Sequence, residues 1–214
     1  MYTPSAFKIT DDDLIWSFLL ENSFGILITS TGAGMQATHL PFLLQRDPSQ
    51  SLILRGHIAA ANPQVQALDA HCEVLAMFSG PHGYISPGWY ASPRDRSVPT
   101  WNYTAVHLYG KSRILSQPEL VETLQATTDR METGRPSPWS FEELDPDIAG
   151  ALTNAITGFE IVVTRVEAKF KLSQNRSDAD VEHACSGLLA TRHASDIQLA
   201  ELMARVNRDS RRSS

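Results

Sequence analysis

Residues 98 to 110 read VPTWNYTAVHLYG, and no other stretch restricts the fold as tightly. At a strand's period of two, Trp101, Tyr103, His107 and Tyr109 share one face, with Ala105 as a gap among them. Thr104, Val106 and Leu108 share the other. A strand serving only a core needs one apolar face and leaves the other to water. Here the second face is built of flat rings with polar tips, a composition that suits a subunit interface, a flat ligand, or both together.

The surrounding chain is strand-rich. FGILITS (24–30), QATHLPFLL (36–44) and SLILRGHI (51–58) read as three short strands, separated by the turn-forming TGAG and QRDPSQ, the first two as a hairpin. CEVLAMFSG is a continuous apolar strand, and GFEIVVTRVEAKFKLS a long final one. YASPRDRSVP (90–99) has the prolines and charges of a surface loop. Helices are expected at DDDLIWSFLLENS, NPQVQALDAH, SQPELVETLQATTDRMET and DPDIAGALTNAIT, with Asn62 and Asp145 as caps. Two more are expected in the tail, SDADVEHACSGLL and SDIQLAELMARVNR, ahead of a frayed RDSRRSS. Six or seven strands without regular strand–helix alternation disfavour a doubly wound parallel sheet and favour a small, largely antiparallel barrel with peripheral helices, an α+β chain. Around Arg176 and Ser177 lies a weak linker, dividing a domain over 1–176 from a helical extension over 177–214.

Composition narrows the function. A net charge of −6 argues against a general electrostatic grip on nucleic acid or an anionic membrane. No apolar run is long enough to span a bilayer, the start lacks the pattern of a signal peptide, and the two distant cysteines, Cys72 and Cys185, suit free thiols in a reducing cytoplasm. His39, His57, His82 and His107 lie in the strand-rich part, but no metal-ligand spacing joins them, so no metal site is assigned. No nucleophile with its base is visible, and no catalytic residue is assigned. Arg205, Arg208, Arg211 and Arg212 give the last helix a modest basic end, a weak basis for contact with DNA.

Several motifs, in order, carry a family resemblance: NSFGILIT, ATHLPF, GHIAAANPQ, FSGPHGYISPGWY, VPTWNYTAVHLYG, GFEIVVT and KLSQNRS. Together they resemble the PaiB family, bacterial proteins described as FMN-binding negative transcriptional regulators. The resemblance runs from Met1 to about Ser177 and continues more weakly into the tail. It implies a split β-barrel of the FMN-binding type, similar to the pyridoxamine-phosphate oxidases, in which two subunits pack sheet to sheet and hold two flavins between them. It also implies a cytoplasmic homodimer. A flavin-dependent oxidoreductase acting on a small molecule stands as the alternative function, and a haem-binding protein as a third.

A flavin mononucleotide needs flat contact for its ring, donors for the ring edge, and cations or N–H groups for its phosphate. Trp101 and Tyr103 offer the first, and Asn102 and His107 the second. For the phosphate, Arg55 is able to pair with an anion, Gly56 to admit a close backbone, His57 to donate, and Asn62 to open a helix. Asn62 also reads as a plain cap, and AAAN stands where a stronger phosphate cradle would be expected. In KFKLSQNRS, Lys169 and Lys171 share a face and Gln174, Asn175 and Arg176 follow in the exit turn. They read either as an anion and ring-edge site or as a solvated edge strand. His39, beside Pro41, interrupts an apolar strand; the proline demands an edge or a bulge, and the resemblance puts this strand beside the flavin ring.

Overall fold

Where the hydrophobic period changes from 3.6 to 2, the chain changes from helix to strand. The structure is a computed structural model and describes residues 1–31, 34–70 and 72–212, with side chains as far as residue 208. Helix α1 (Asp12–Glu21) begins where Asp11 Oδ1 accepts the N–H groups of Asp13 and Leu14. Strands β2 (Phe24–Thr31), β3 (Gly34–Pro41), β4 (Leu43–Arg46) and β5 (Leu52–Ala59) follow. After helix α2 (Gln64–Asp69) come β6 (Glu73–Ile85) and β7 (Thr100–Ile114). Helices α3 (Gln117–Glu132) and α4 (Pro146–Asn154) lead to β8 (Ile156–Lys171), and α5 (Asp178–Thr191) and α6 (Ala194–Arg212) close the chain. With the two-residue β1 (Lys8–Ile9), the described residues form one eight-stranded sheet of order β3-β2-β6-β7-β8-β5-β4, β1 pairing with β8. The strand pairs whose register is defined are antiparallel.

The chain divides into two compact units whose boundaries fall inside α1, β6, β7 and β8. Unit one comprises Met1–Phe18, Ser79–Val106 and Glu167–Ser214; unit two comprises Leu19–Phe78 and His107–Val166. The helices of 177–214 therefore belong to unit one together with parts of β6, β7 and β8.

Unit two holds the β2–β3 hairpin, with Ile26 opposite His39 and Phe24 opposite Pro41. The turn residues Gly32 and Ala33, like His71 at the end of the NPQVQALDAH stretch, lie outside the described residues. QATHLPFLL, expected as one strand, is two. Pro41 has no N–H for the ladder and sits at the end of the edge strand β3. Phe42 then turns inward, its N–H donating to Ser23 O at 2.9 Å and its ring meeting Phe78 at 5.2 Å and Phe159 at 6.2 Å. Burying such a ring contributes about 2–3 kcal/mol, which outweighs ladder continuity at one residue. Helix α3 is capped by Ser116 and Glu119 in the reciprocal box, and α4 by Asp145, the cap expected from the sequence.

A charge network ties four elements of unit two together. Glu160 on β8 is buried and accepts Arg55 Nε at 2.8 Å and Arg113 Nε at 2.9 Å. Arg113 also grips Glu119 at the start of α3, at 2.7 and 3.2 Å. Those bonds, with the Ser116 N–H and hydroxyl, pull the Glu119 pKa from its ordinary 4.5 to about 2.

In unit one, the C-terminal helices clamp the turn that follows β8. Ser173, in the left-handed region at φ 69°, accepts Asn102 Nδ2 at 2.9 Å. Asn207 Nδ2 donates to Leu172 O at 3.0 Å. Ser177 caps α5, and the buried Asp180 accepts both the N–H and the hydroxyl of Ser92, at 2.9 and 2.8 Å. Gly187 lets Trp89 lie on α5: a Cβ there would stand 2.3 Å from the indole. Where fraying was expected, α6 is helical to Arg212; the side chains of Arg211 and Arg212 lie outside the described set.

Two outcomes test this account. Glu160→Ala strands Arg55 beside a buried site, leaves Arg113 with Glu119 alone, and should cost about 3 kcal/mol in urea unfolding; a loss under 1 kcal/mol would show that the network does not hold unit two. The depressed pKa of Glu119 contributes stability that is complete above about pH 4.5 and is lost as pH falls towards about 2. Melting curves of Glu119→Gln should therefore show a flatter acid limb than the parent's.

Candidate functional site

Alternation along β7 separates two environments. Asn102, Thr104, Val106 and Leu108 are at most 1 % exposed, whereas Trp101 is 51 % exposed and Tyr103, Ala105, His107 and Tyr109 are half-buried. The ring-bearing face is thus the open one.

Within unit one this face continues onto both neighbouring strands. On β6, His82 stacks on Trp101 with centroids 6.1 Å apart and planes 28° apart, and Tyr84, itself 48 % exposed, meets Trp101 edge-on at 6.4 Å. On β8, Lys171 Nζ donates to Trp101 O at 2.9 Å and to the Thr100 hydroxyl. Lys169 Nζ lies 5.2 Å from the Tyr103 ring centroid and donates to Tyr2 O at 3.1 Å. Arg176, in the turn beyond β8, lies 4.7 Å over the Tyr90 ring. Burial, and then the charges of Lys169 and Arg176, push the Lys171 pKa below its ordinary value. The result is an aromatic half beside a cationic half, chemistry suited to a flat ring that carries an anionic group.

Of the residues singled out on sequence, the structure brings Trp101, Tyr103, Lys171 and Arg176 onto or beside this face. His82, Tyr84 and Lys169 complete it. The first two escaped notice as ligand contacts because GPHGYISPGWY reads as a glycine-rich turn, although His82 and Tyr84 stand two apart, the spacing of one strand face.

Three assignments need correction. Asn102, assigned to the ring edge, is fully buried on the opposite face, with Nδ2 directed at Ser173 Oγ and Met203 Sδ. The period of two already places it there. Gln174 spends its amide on its own turn, accepting the Leu172 N–H at 2.7 Å and donating to Phe170 O at 2.5 Å. Gly56 serves the core rather than a ligand's approach, since a Cβ there would meet Leu40 Cδ1 at 2.9 Å and the Phe159 ring at 3.1 Å. Asn175 is exposed in the turn.

The remaining residues lie in unit two. Arg55, expected to take an anion, is paired with Glu160. His57 alternates with Gly56 and is half-buried, and burial lowers its pKa. Asn62 accepts the Gln64 N–H at 2.9 Å, a cap to α2, and donates to Thr38 Oγ1 at 3.0 Å. It also lines an open depression of about 560 Å³ with Gln36, Thr38, Ala59 and Gln64. His39 is exposed on the edge strand, its ring 6.2 Å from that of Phe24 and nearly parallel. His107 meets Tyr109 at 6.5 Å. Among the described residues no group of three or more His, Cys, Asp or Glu is placed to hold a metal, and no helix is long and apolar enough to cross a membrane.

Comparison with known proteins gives this geometry its context. Residues 1–165 match the family model described as "Putative FMN-binding domain". Over 203 residues the chain is 40 % identical to the Protease synthase and sporulation protein PAI 2 of Bacillus subtilis, covering 95 % of this chain and 96 % of that protein. Among solved structures it is similar to the flavocytochrome Anf3 of Azotobacter vinelandii, with a TM-score of 0.59 and 17 % identity over 77 % of this chain and 69 % of the other. It is also similar to an FAD and heme binding protein of Mycobacterium smegmatis, with a TM-score of 0.56 and 17 % identity over 84 % and 80 % of the two chains. The α+β fold is the split β-barrel with peripheral helices. This chain belongs to the PaiB family of FMN-binding-domain proteins.

Proposed function

We propose that this protein binds FMN on the open face of unit one and acts as a PaiB-type negative transcriptional regulator. The observation that carries the ligand reading is the exposed Trp101 indole, stacked by His82 and flanked by Tyr84, beside three cations. An indole half open to water next to unneutralised positive charge is costly to maintain without an occupant, and an isoalloxazine ring with a phosphate supplies both contacts. Trp101, Tyr103 and His82 hold the ring in this reading, and Lys171 its polar edge. Bound there, the flavin supplies one- and two-electron redox chemistry that no side chain offers.

A second copy of the chain covers the ring and completes a homodimer, since a flat ligand on an open sheet face needs a second wall to leave water. The regulatory role rests on the 40 % identity to the protease synthase and sporulation protein over nearly the whole chain. With a net charge of −6, contact with DNA is confined to a local basic surface or passes through a partner protein.

The purified protein, incubated with excess FMN and desalted, should retain a shifted flavin absorption band at a mass near twice 23.6 kDa. Trp101→Ala should weaken retention at least tenfold, about 1.4 kcal/mol. Failure of the parent protein to retain any flavin would overturn the ligand reading. Turnover of a reduced nicotinamide by the flavin-loaded protein would point to the oxidoreductase function in place of the regulator.

A further inference from the structure

Lys169 is 9 % exposed, and its contacts are neutral: a backbone carbonyl at 3.1 Å and the rings of Tyr2 and Tyr103. Lys171 gives its protons to a carbonyl and a hydroxyl, and Arg176 lies over a tyrosine. Among the described residues none of the three forms an ion pair. Glu167, which shares the alternating face of Lys169 and Lys171, is itself bonded to the amino group of Met1. Elsewhere the chain behaves differently: Arg55 and Arg113, partly buried in unit two, converge on carboxylates.

Partly buried cations held close together without a counter-charge lose hydration and repel one another. The lowered pKa of Lys171 has both causes. Neutral acceptors satisfy individual N–H groups but do not cancel the field. Each lysine also keeps donors beyond those already used, since an ammonium has three.

We infer that Lys169, Lys171 and Arg176 form an anion subsite, complete within unit one, that takes the phosphate or carboxylate group of a ligand whose ring lies on Trp101 and Tyr103. The subsite rests on the ring-binding reading for its neighbour but not for its own charge. It moves the anion contact away from Arg55, His57 and Asn62, where the order of the sequence suggested it, because Arg55 is already neutralised by Glu160. Lys169 sits deepest and fixes the anion, Lys171 joins the anion to the ring platform through the Trp101 carbonyl, and Arg176 closes the outer side.

The first arm of the test uses inorganic phosphate alone, titrated at constant ionic strength and followed by melting temperature and tryptophan fluorescence. The parent should show a saturable response. Lys169→Gln/Lys171→Gln should abolish it, Lys171→Arg should keep it, and Arg96→Gln, on the exposed loop, should leave it unchanged. Retention of the full response by the double variant would overturn the subsite. If the double variant does not fold, Arg176→Gln serves in its place, with at least a threefold weakening expected and an unchanged midpoint counting against the proposal.

The second arm compares FMN with riboflavin, which lacks the phosphate. If the anion is the flavin's own, the parent should prefer FMN over riboflavin and the double variant should lose that preference at least tenfold. If it belongs to a second ligand, the preference should survive while the phosphate response disappears. A parent that binds no flavin yet responds to phosphate would refute the flavin reading and leave the subsite standing.

Discussion

Strand β7 must keep every second residue sealed while the residues between them stay open, and much of the architecture follows from that demand. Asn102, Thr104, Val106 and Leu108 admit no water, so each unit must supply atoms to cover them. In unit one that cover includes α6, whose Met203 approaches the Asn102 amide, and the turn at Ser173. The Asn102 amide nitrogen finds acceptors in this dry position, and the bond it makes to Ser173 holds a left-handed serine in place. Sealing one face and positioning the turn beyond β8 are thus the same act.

That turn carries Arg176 and follows directly on Lys169 and Lys171. The clamp of Asp180 on Ser92, the seat of Trp89 on Gly187 and the reach of Asn207 to Leu172 all bear on the same end of unit one. The C-terminal helices therefore serve as the backing of the cationic half of the face. The family match ends at residue 165, before the strand end that bears these cations.

Unit two solves its electrostatics in the opposite way. Arg55 and Arg113 are drawn onto Glu160 and Glu119, so their charge serves cohesion. Its open depression is lined by amides, a hydroxyl and small residues, a neutral surface with hydrogen-bonding capacity. The contrast between the neutralised Arg55 and Arg113 of unit two and the unneutralised Lys169 and Lys171 of unit one distinguishes structural charge from charge available to an anion.

Most of the fold was legible because its signals are local. Period two marks the strands, Ser116, Asp145 and Ser177 mark helix starts through short-range bonds, and Pro41 announces an edge strand. The open aromatic face of β7 is legible for the same reason, as is the placement of Asn102 on the buried face, since both follow from the period of two. What tertiary structure alone decided is which charges meet. Arg55 and Glu160 stand 105 positions apart, and nothing local to either shows that one cancels the other. Nor does sequence show that Gly56 faces Leu40 and Phe159, that Gln174 folds back on its own turn, or that His82 lies on Trp101. Side-chain periodicity is a property of a few adjacent residues, whereas neutralisation, packing clearance and stacking depend on distances in space that only the folded sheet creates.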